Sequence, residues 1–164
     1  MSPRTYNVLF LCTGNSARSI MAESILNTLG QGRFRAYSAG SHPAGSVNPV
    51  ALDVLRGVNC ATSGLRSKSW DEFASAAAPR MDFVFTVCDH AAGETCPLWP
   101  GNPITAHWGV QDPVAFAGTD AQRREVFRNV AIALRRRIEL FISLPFERLD
   151  ALALGNKVRE IGKQ

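Results

Sequence analysis

Apolar positions near the start of the chain form two short runs separated by a helical period. The continuous apolar run Val8–Leu11 is typical of a buried parallel strand, and a second strand is predicted over Phe34–Ala39. Between them, apolar residues recur every four positions up to Gly30, which predicts a helix that ends there. Asn48 followed by a proline predicts the start of another helix over Pro49–Leu55.

The second half of the chain continues this alternation. Met81–Val87 is the clearest strand there, and Ile104–His107 predicts a weaker one. Ser69–Glu72 has the spacing of a capping box that opens a short helix, and Thr119–Gln122 opens a long helix that Pro145 ends. The apolar face of the long helix consists of Phe127, Val130, Leu134, Ile138 and Phe141. Short apolar spacing after Pro145 predicts one or two small helices.

Strands that alternate with helices predict an α/β fold. We expect a small doubly wound sheet of about four parallel strands flanked by helices. A length of 164 residues suits one domain. We place this domain at residues 1–142, with residues 143–164 as a short helical extension packed on the same domain.

The overall charge narrows the range of partners. A net charge of +4 can attract an anion but is too weak to indicate nucleic-acid binding. The basic run Arg135–Arg137 falls inside the long helix and is predicted to lie on its solvated face. Because Val8–Leu11 is too short for a signal sequence or a membrane span, we expect a cytoplasmic protein with no membrane partner. Its four cysteines are then expected to serve catalysis or metal binding rather than structural disulfides.

The segment Cys12–Ser19 has the pattern of an oxyanion-binding loop. A cysteine, five residues and Arg18 lie between a strand and a helix, where backbone N–H groups can wrap around a tetrahedral anion. Gly14 is predicted to permit the tight wrap, and Arg18 to hold two anion oxygens with its planar guanidinium. The residues expected to supply the wrapping backbone are Thr13, Gly14, Asn15, Ser16 and Ala17.

The same loop predicts a reactive thiol at Cys12. A helix amino terminus together with Arg18 is expected to lower the pKa of Cys12 and make it a thiolate nucleophile. Ser19 is placed to donate a hydrogen bond to that thiolate. The alternative, a buried cysteine that has an arginine six residues later by chance, does not account for the flanking strand and helix.

Two further cysteines follow the strongest strand of the second half. Cys88 closes that strand, so it is expected at the same sheet edge as Cys12. Cys96 lies eight residues later in a polar stretch that contains glycine and can bring it to Cys88. A zinc site is disfavoured because the chain has no Cys-x2-Cys pair and its histidines are scattered. Cys60 has no partner motif and is interpreted as structural.

Asp112 is the candidate proton donor. It precedes Pro113, which holds its backbone extended on a rigid loop. From there it can protonate a leaving oxygen or steer proton transfer between thiols.

These segments resemble a known family. Cys12–Ser19 followed by Met21-Ala22-Glu23 is similar to the signature of the low-molecular-weight tyrosine phosphatase superfamily, and most similar to its arsenate reductases. Tyr37–Gly40, Val47–Pro49 and Asp112-Pro113 resemble further family segments. The resemblance extends from about Val8 to Ile142.

The resemblance implies a thiol relay that reduces arsenate without a metal or another cofactor. Cys12 would attack arsenate, Cys88 would displace arsenite from Cys12, and Cys96 would then pair with Cys88. Thioredoxin is the expected reductant, and a glutathione and glutaredoxin route stays open. Phosphate and sulfate are expected to compete with arsenate for the loop.

The resemblance also indicates which residues support the loop. Glu23 and Ser38 match positions that, with Asn15, support it in the family, in some members through a bound potassium ion. Lys68 lies where a fourth, acidic ligand is expected, so its ammonium is a candidate replacement for that cation.

Two other functions share the loop. A tyrosine or small-molecule phosphatase would use Cys12, Arg18 and Asp112, but it has no use for a Cys88/Cys96 pair. Val114 and Ala115 also stand where such phosphatases carry aromatic residues that stack on the substrate. A non-catalytic oxyanion sensor would need neither the nucleophile nor the redox pair.

Overall fold

Four parallel strands form the sheet that organises the molecule. A computed structural model describes residues 4–93 and 99–164. The strands are β1 (Tyr6–Cys12), β2 (Phe34–Gly40), β3 (Phe83–Thr86) and β4 (Ile104–His107). Their order in the sheet is β2-β1-β3-β4, and every neighbouring pair is parallel. The predicted α/β class with four parallel strands is confirmed, although β3 is shorter than the predicted Met81–Val87.

Helices connect and cover the strands. They are α1 (Arg18–Leu29), α2 (Pro49–Gly57), α3 (Asp89–Ala92), α4 (Asp120–Ile142) and α5 (Ala151–Ile161), with 3₁₀ helices at Trp70–Phe73 and Phe146–Arg148. The side chain of Asn48 accepts the N–H of Val50 and caps α2 as its sequence predicts. Thr119 and Gln122 form the predicted reciprocal capping box of α4. Within the described residues, no helix is both long and apolar enough to cross a membrane.

Two local predictions hold only in part, because a group outside the predicted pattern competes for one of its side chains. Ser69 accepts the N–H of Asp71 and opens a 3₁₀ helix of four residues, whereas the Glu72 carboxylate binds Arg66 at 2.6 and 3.0 Å instead of closing a capping box. In the basic run, Arg135 and Arg136 are exposed as predicted, but Arg137 is buried.

The core lies on both faces of the sheet. Successive residues of β1 point to opposite faces, so Val8 and Phe10 pack with α1, α2 and α4, while Leu9 and Leu11 pack with the 3₁₀ helix that carries Phe73. Aromatic rings gather at the amino ends of the strands, with ring centroids 4.9 to 6.1 Å apart. This aromatic cluster consists of Tyr6, Phe34, Phe83, Phe141 and Phe146. The carboxyl ends of the same strands are left to carry the polar groups of the candidate site.

Candidate active site

The Cys12–Arg18 loop joins the carboxyl end of β1 to the amino end of α1. Its carbonyl groups are held from outside by the backbone of the segment that follows β2. Three N–H groups of that segment donate to them: His42 to Thr13 (2.9 Å), Ala44 to Gly14 (2.8 Å) and Asn48 to Ser16 (2.9 Å). In a trans peptide the N–H points away from the C=O, so carbonyls held outward turn the N–H groups of the loop inward. The loop is thereby shaped to surround an oxyanion.

Two small-scale features allow this wrap. A Cβ at Gly40, the last residue of β2, would overlap the carbonyl oxygen of Thr13 and lie 3.0 Å from the Asn15 nitrogen, so only glycine fits there. Asn15 has a left-handed backbone with φ of 46°, a conformation that asparagine tolerates better than most residues. Gly14, predicted to permit the tight wrap, is not among the residues with positive φ; in this loop that conformation falls on Asn15.

Cys12 is buried at the bottom of the loop, with 3% of its surface exposed. Its Sγ lies 2.7 Å from Ser19 Oγ and accepts the Asn15 N–H at 3.2 Å. Burial raises the pKa of the Cys12 thiol above its ordinary value, while the hydrogen bonds from Ser19 and Asn15 oppose that rise. The predicted lowering of this pKa is wrong in direction, because desolvation outweighs the hydrogen bonds.

Arg18 faces the loop that follows β4. Its Nη1 donates to the Val110 carbonyl at 3.4 Å, and its Nη2 lies 3.6 Å from the Asp112 carboxylate. Asp112 is fixed in turn, since it accepts the Val114 N–H at 3.0 Å. The structure therefore brings Cys12, Arg18 and Asp112 to one edge of the sheet. Val110, which no sequence signal singled out, contributes through its backbone.

A connected set of buried polar side chains supports the loop from below. Asn15 Nδ2 donates to Ser19 Oγ at 2.8 Å and to Ser38 Oγ at 3.0 Å. Asn15 Oδ1 accepts the Lys68 backbone N–H at 2.9 Å, and Ser38 Oγ donates to Glu23 at 2.5 Å. The Lys68 ammonium lies 3.7 Å from the same Glu23 oxygen. We refer to Asn15, Ser19, Glu23, Ser38 and Lys68 as the loop support network.

Burial acts on both charges of this network. It raises the pKa of Glu23, against the hydrogen bond from Ser38 and the charge of Lys68. It lowers the pKa of Lys68, against the charge of Glu23. Lys68 Nζ also donates to the Arg66 carbonyl at 3.0 Å. The residues present do not fit a potassium ion, because the Lys68 ammonium already faces the carboxylate and would repel a second cation.

Cys88 lies beside the loop. It lies two residues after the end of β3, and the parallel register that pairs Leu11 with Thr86 brings Cys88 to the same sheet edge as Cys12. Cys88 Sγ is 3.6 Å from Thr13 Oγ1 and accepts the Ala91 N–H at 3.3 Å. Both cysteines are buried free thiols. Cys96 lies outside the described residues. A shallow cavity of about 500 Å³ between Arg18, Cys88 and Asp112 gives access to this edge.

Other site residues are visible only in the fold. Ser67 Oγ donates to the Gly14 carbonyl at 3.2 Å and accepts the Gly45 N–H at 3.1 Å, which ties a distant segment to the loop. His107, at the end of β4, contacts Thr86 Oγ1 and the Asp89 carboxylate, each at 2.7 Å. No local motif marks either group, because each depends on residues far apart in the chain.

Comparison with known proteins places these features in context. The family model described as low molecular weight phosphotyrosine protein phosphatase matches residues 7–151. A curated protein of Halalkalibacterium halodurans named arsenate reductase is 37% identical over 134 residues, which are 82% of this chain and 93% of that protein. A solved structure described as an arsenate reductase in the phosphate binding state is 32% identical, with a TM-score of 0.68, and the match covers 85% of this chain and 98% of that one. A low molecular weight protein tyrosine phosphatase from T. tengcongensis is 27% identical, with a TM-score of 0.67, and the match covers 88% and 100%.

Proposed function

The chain belongs to the low molecular weight phosphotyrosine protein phosphatase family, and we propose that within this family it is an arsenate reductase. The observation that carries the proposal is the second buried thiol, Cys88, held beside the nucleophile loop through Thr13 at 3.6 Å. A phosphatase needs only the nucleophile Cys12, whereas a reductase needs a thiol that can remove it from the arsenic. The identity of 37% to a curated arsenate reductase supports the same conclusion.

The first step is nucleophilic attack. The Cys12 thiolate attacks arsenic, an S–As bond forms, and one arsenate oxygen leaves as water. Asp112 supplies a proton to that oxygen, and Arg18 binds the remaining oxygens together with the N–H groups of Thr13, Gly14, Asn15, Ser16 and Ala17. Ser19 donates to the thiolate, which lowers the pKa of Cys12 and offsets part of the effect of burial.

The second step transfers two electrons to arsenic. The Cys88 thiolate attacks Cys12 Sγ, the S–As bond breaks, and its electron pair reduces As(V) to As(III). Arsenite leaves, and a Cys12–Cys88 disulfide remains. Cys96 then attacks Cys88, which frees Cys12 as a thiolate and leaves a Cys88–Cys96 disulfide. An internal dithiol pair that ends as a disulfide suits an external dithiol, so thioredoxin is the proposed reductant.

Arsenite release measured in single turnovers tests this proposal. Wild-type protein should release arsenite continuously with thioredoxin, thioredoxin reductase and NADPH, and more slowly with glutathione and glutaredoxin. Cys96→Ser should release one arsenite per chain and stop as a Cys12–Cys88 disulfide, whereas Cys88→Ser should release almost none. Cys60→Ser is the matched control, because Cys60 is also a buried free thiol but lies away from the loop. Full turnover by Cys88→Ser would exclude the relay.

A phosphatase is the second candidate. The similarity to the T. tengcongensis phosphatase favours it, since the fold and the loop are common to both activities. Val114, whose surface is 48% exposed, gives no aromatic platform for a tyrosyl ring next to Asp112. A phosphatase would keep its phosphate-ester turnover when Cys88 and Cys96 are both replaced by serine.

Lys68 completes the proposed site. Its ammonium supports the loop as an internal cation, since it faces Glu23 at 3.7 Å while its backbone N–H binds Asn15. Activity is then expected to be the same in potassium and in an equal concentration of a bulky organic cation. A clear stimulation by potassium in the wild-type protein would contradict this role.

A further inference from the structure

Helix α5 packs directly behind the loop that carries Val110 and Asp112. The indole N–H of the fully buried Trp108 donates to the Val158 carbonyl of α5 at 2.9 Å. A Cβ at Gly162, the residue after α5, would overlap the carbonyl oxygen of His107 and lie 2.9 Å from Trp108 Cδ1. The end of α5 therefore touches the backbone of the active-site loop without any side chain between them.

Arg137, on α4, contacts both the loop after β4 and the segment that follows α5. Its Nη1 donates to the Gly109 carbonyl at 2.9 Å, and its Nη2 donates to the backbone oxygen of Gln164 at 3.1 Å. Burial lowers the pKa of Arg137, so this guanidinium is kept in a place where desolvation opposes its charge. One side chain of α4 thus fastens the loop after β4 to the end of the chain that follows α5.

The loop residues held by α5 and Arg137, Trp108 and Gly109, directly precede Val110, which contacts Arg18. The backbone N–H of Trp108 donates to the Thr86 carbonyl at 2.6 Å, and the backbone N–H of Val110 donates to the Val87 carbonyl at 3.1 Å. These two bonds hold the loop against the end of β3. The Val110 carbonyl then accepts from Arg18, the residue proposed to bind the oxyanion. The family model ends at residue 151, the first residue of α5, so that model does not include the contacts that α5 makes with this segment.

We propose that α5 positions the Trp108–Asp112 loop, with Gly162, Trp108 and Arg137 as positioning residues that set where Arg18 and Asp112 meet the oxyanion. The inference rests on the proposed function for the identity of the substrate. None of the three residues touches the substrate, and their effect passes through the backbone of His107, Gly109 and Val110. Helix α5 then acts on substrate binding rather than on stability alone.

Two glycines of the same segment provide a matched pair of variants. Gly162→Ala must push the loop or the helix aside, because the added methyl group meets the His107 backbone and the Trp108 ring. Gly155→Ala adds the same methyl group inside α5, where the nearest atoms belong to the Arg159 guanidinium, at 3.1 Å, which can move away. Trp108→Phe is a third variant, which keeps an aromatic ring against Phe85 (4.1 Å between centroids) but loses the bond to Val158.

Isothermal titration with inorganic phosphate, together with kcat/KM for arsenate, tests the proposal. We expect Gly162→Ala to raise the phosphate Kd and lower kcat/KM by about tenfold, since small misplacements of binding groups are costly. Trp108→Phe should change both by about fivefold, and Gly155→Ala should match the wild type. The number of phosphate sites per chain separates positioning from folding, because partial unfolding lowers that number and leaves the Kd of folded molecules unchanged.

Wild-type Kd and kcat/KM in folded Gly162→Ala would overturn the positioning role, as would an equal loss in Gly155→Ala. If Gly162→Ala does not fold, the same measurements on Trp108→Phe decide, and wild-type Kd and kcat/KM in that variant would overturn the positioning role. A wild-type protein that binds phosphate but releases no arsenite would refute only the proposed function, because the phosphate Kd values still test the role of α5. Absence of phosphate binding in the wild type would overturn both.

Discussion

The loop support network and the aromatic cluster lie at opposite ends of the same strands and stabilise the protein by different means. The aromatic cluster is held by ring contacts that have little directionality, and its members Tyr6, Phe34 and Phe83 begin three strands. The loop support network is held by short hydrogen bonds, each of which fixes one particular atom. We infer that the cluster sets how stable the sheet is, whereas the network sets the geometry of the loop.

The difference follows from what each region loses when one member is removed. Among the described residues, every buried side-chain nitrogen or oxygen has a hydrogen-bond partner. Removal of one polar side chain therefore leaves another buried group unsatisfied. Removal of a ring leaves a cavity, which costs free energy of unfolding but leaves a distant loop in place. Variants in the two regions should separate activity from stability.

The largest expected effect is on activity alone. Cys12→Ser should lower arsenite release to below about a thousandth of the wild-type rate, because a serine hydroxyl is scarcely ionised near neutral pH. Its thermal midpoint should change little, since the serine can keep the contact with Ser19. Arsenite assays and thermal unfolding measure the two quantities. A residual rate above a tenth of the wild type would remove Cys12 from the mechanism.

The next effect is on stability alone. Phe34→Ala should lower the free energy of unfolding by about 3 to 5 kcal/mol, because it opens a cavity in the aromatic cluster. The loop lies at the far end of β2, about 20 Å away at the rise of an extended strand. The phosphate Kd should therefore stay at the wild-type value. Urea unfolding measures the loss, and Leu152→Ala, at a side chain with 73% exposure, is the control with little expected change.

Lys68→Met tests the network through its dependence on pH. Loss of the ammonium leaves Glu23 buried without a counter-charge, which should cost about 3 kcal/mol at pH 8. Burial already raises the pKa of Glu23, and loss of Lys68 raises it further. A carboxyl whose pKa is higher in the folded protein than in the unfolded chain gains stability from protonation, so the loss should shrink as the pH falls towards 5.

A double variant provides the control for this experiment. Glu23→Gln combined with Lys68→Met removes both charges, so it should recover much of the stability and lose the dependence on pH. Urea unfolding at pH 5 and pH 8 measures both variants. A loss for Lys68→Met that is equal at the two pH values would mean that the carboxylate of Glu23 is not what Lys68 stabilises.

The smallest effect concerns the Cys12 pKa. Ser19→Ala removes the hydrogen bond that most lowers this pKa, so the burial effect should dominate further. The pH profile of single-turnover arsenite release should move to higher pH, with rates that converge at alkaline pH. Ser24→Ala, on the same helix but bonded to Ala61, should leave the profile unchanged. An unshifted profile in Ser19→Ala would mean that groups other than Ser19 stabilise the Cys12 thiolate.

Local sequence patterns predict many of the structural elements of this protein. The Val8–Leu11 run, the caps at Asn48 and Thr119 and the apolar face of α4 depend on neighbours within a few residues, so period and capping rules predict them correctly. The position of Cys12 and Arg18 between a strand and a helix is local in the same sense. It predicts an oxyanion loop before any contact is known.

The tertiary structure alone decided the features that depend on distant partners or on burial. The Glu72 carboxylate binds Arg66 instead of closing the predicted cap, and the Arg137 side chain is buried against Gly109 instead of facing solvent. Burial raises the pKa of Cys12, opposite to the direction expected from the sequence. The contact between α5 and the loop that carries Asp112 was also not predictable locally, because Trp108 and Val158, which form its hydrogen bond, are 50 residues apart. A hydrogen bond or a desolvation cost depends on which groups meet in space, and the sequence records only which groups are close along the chain.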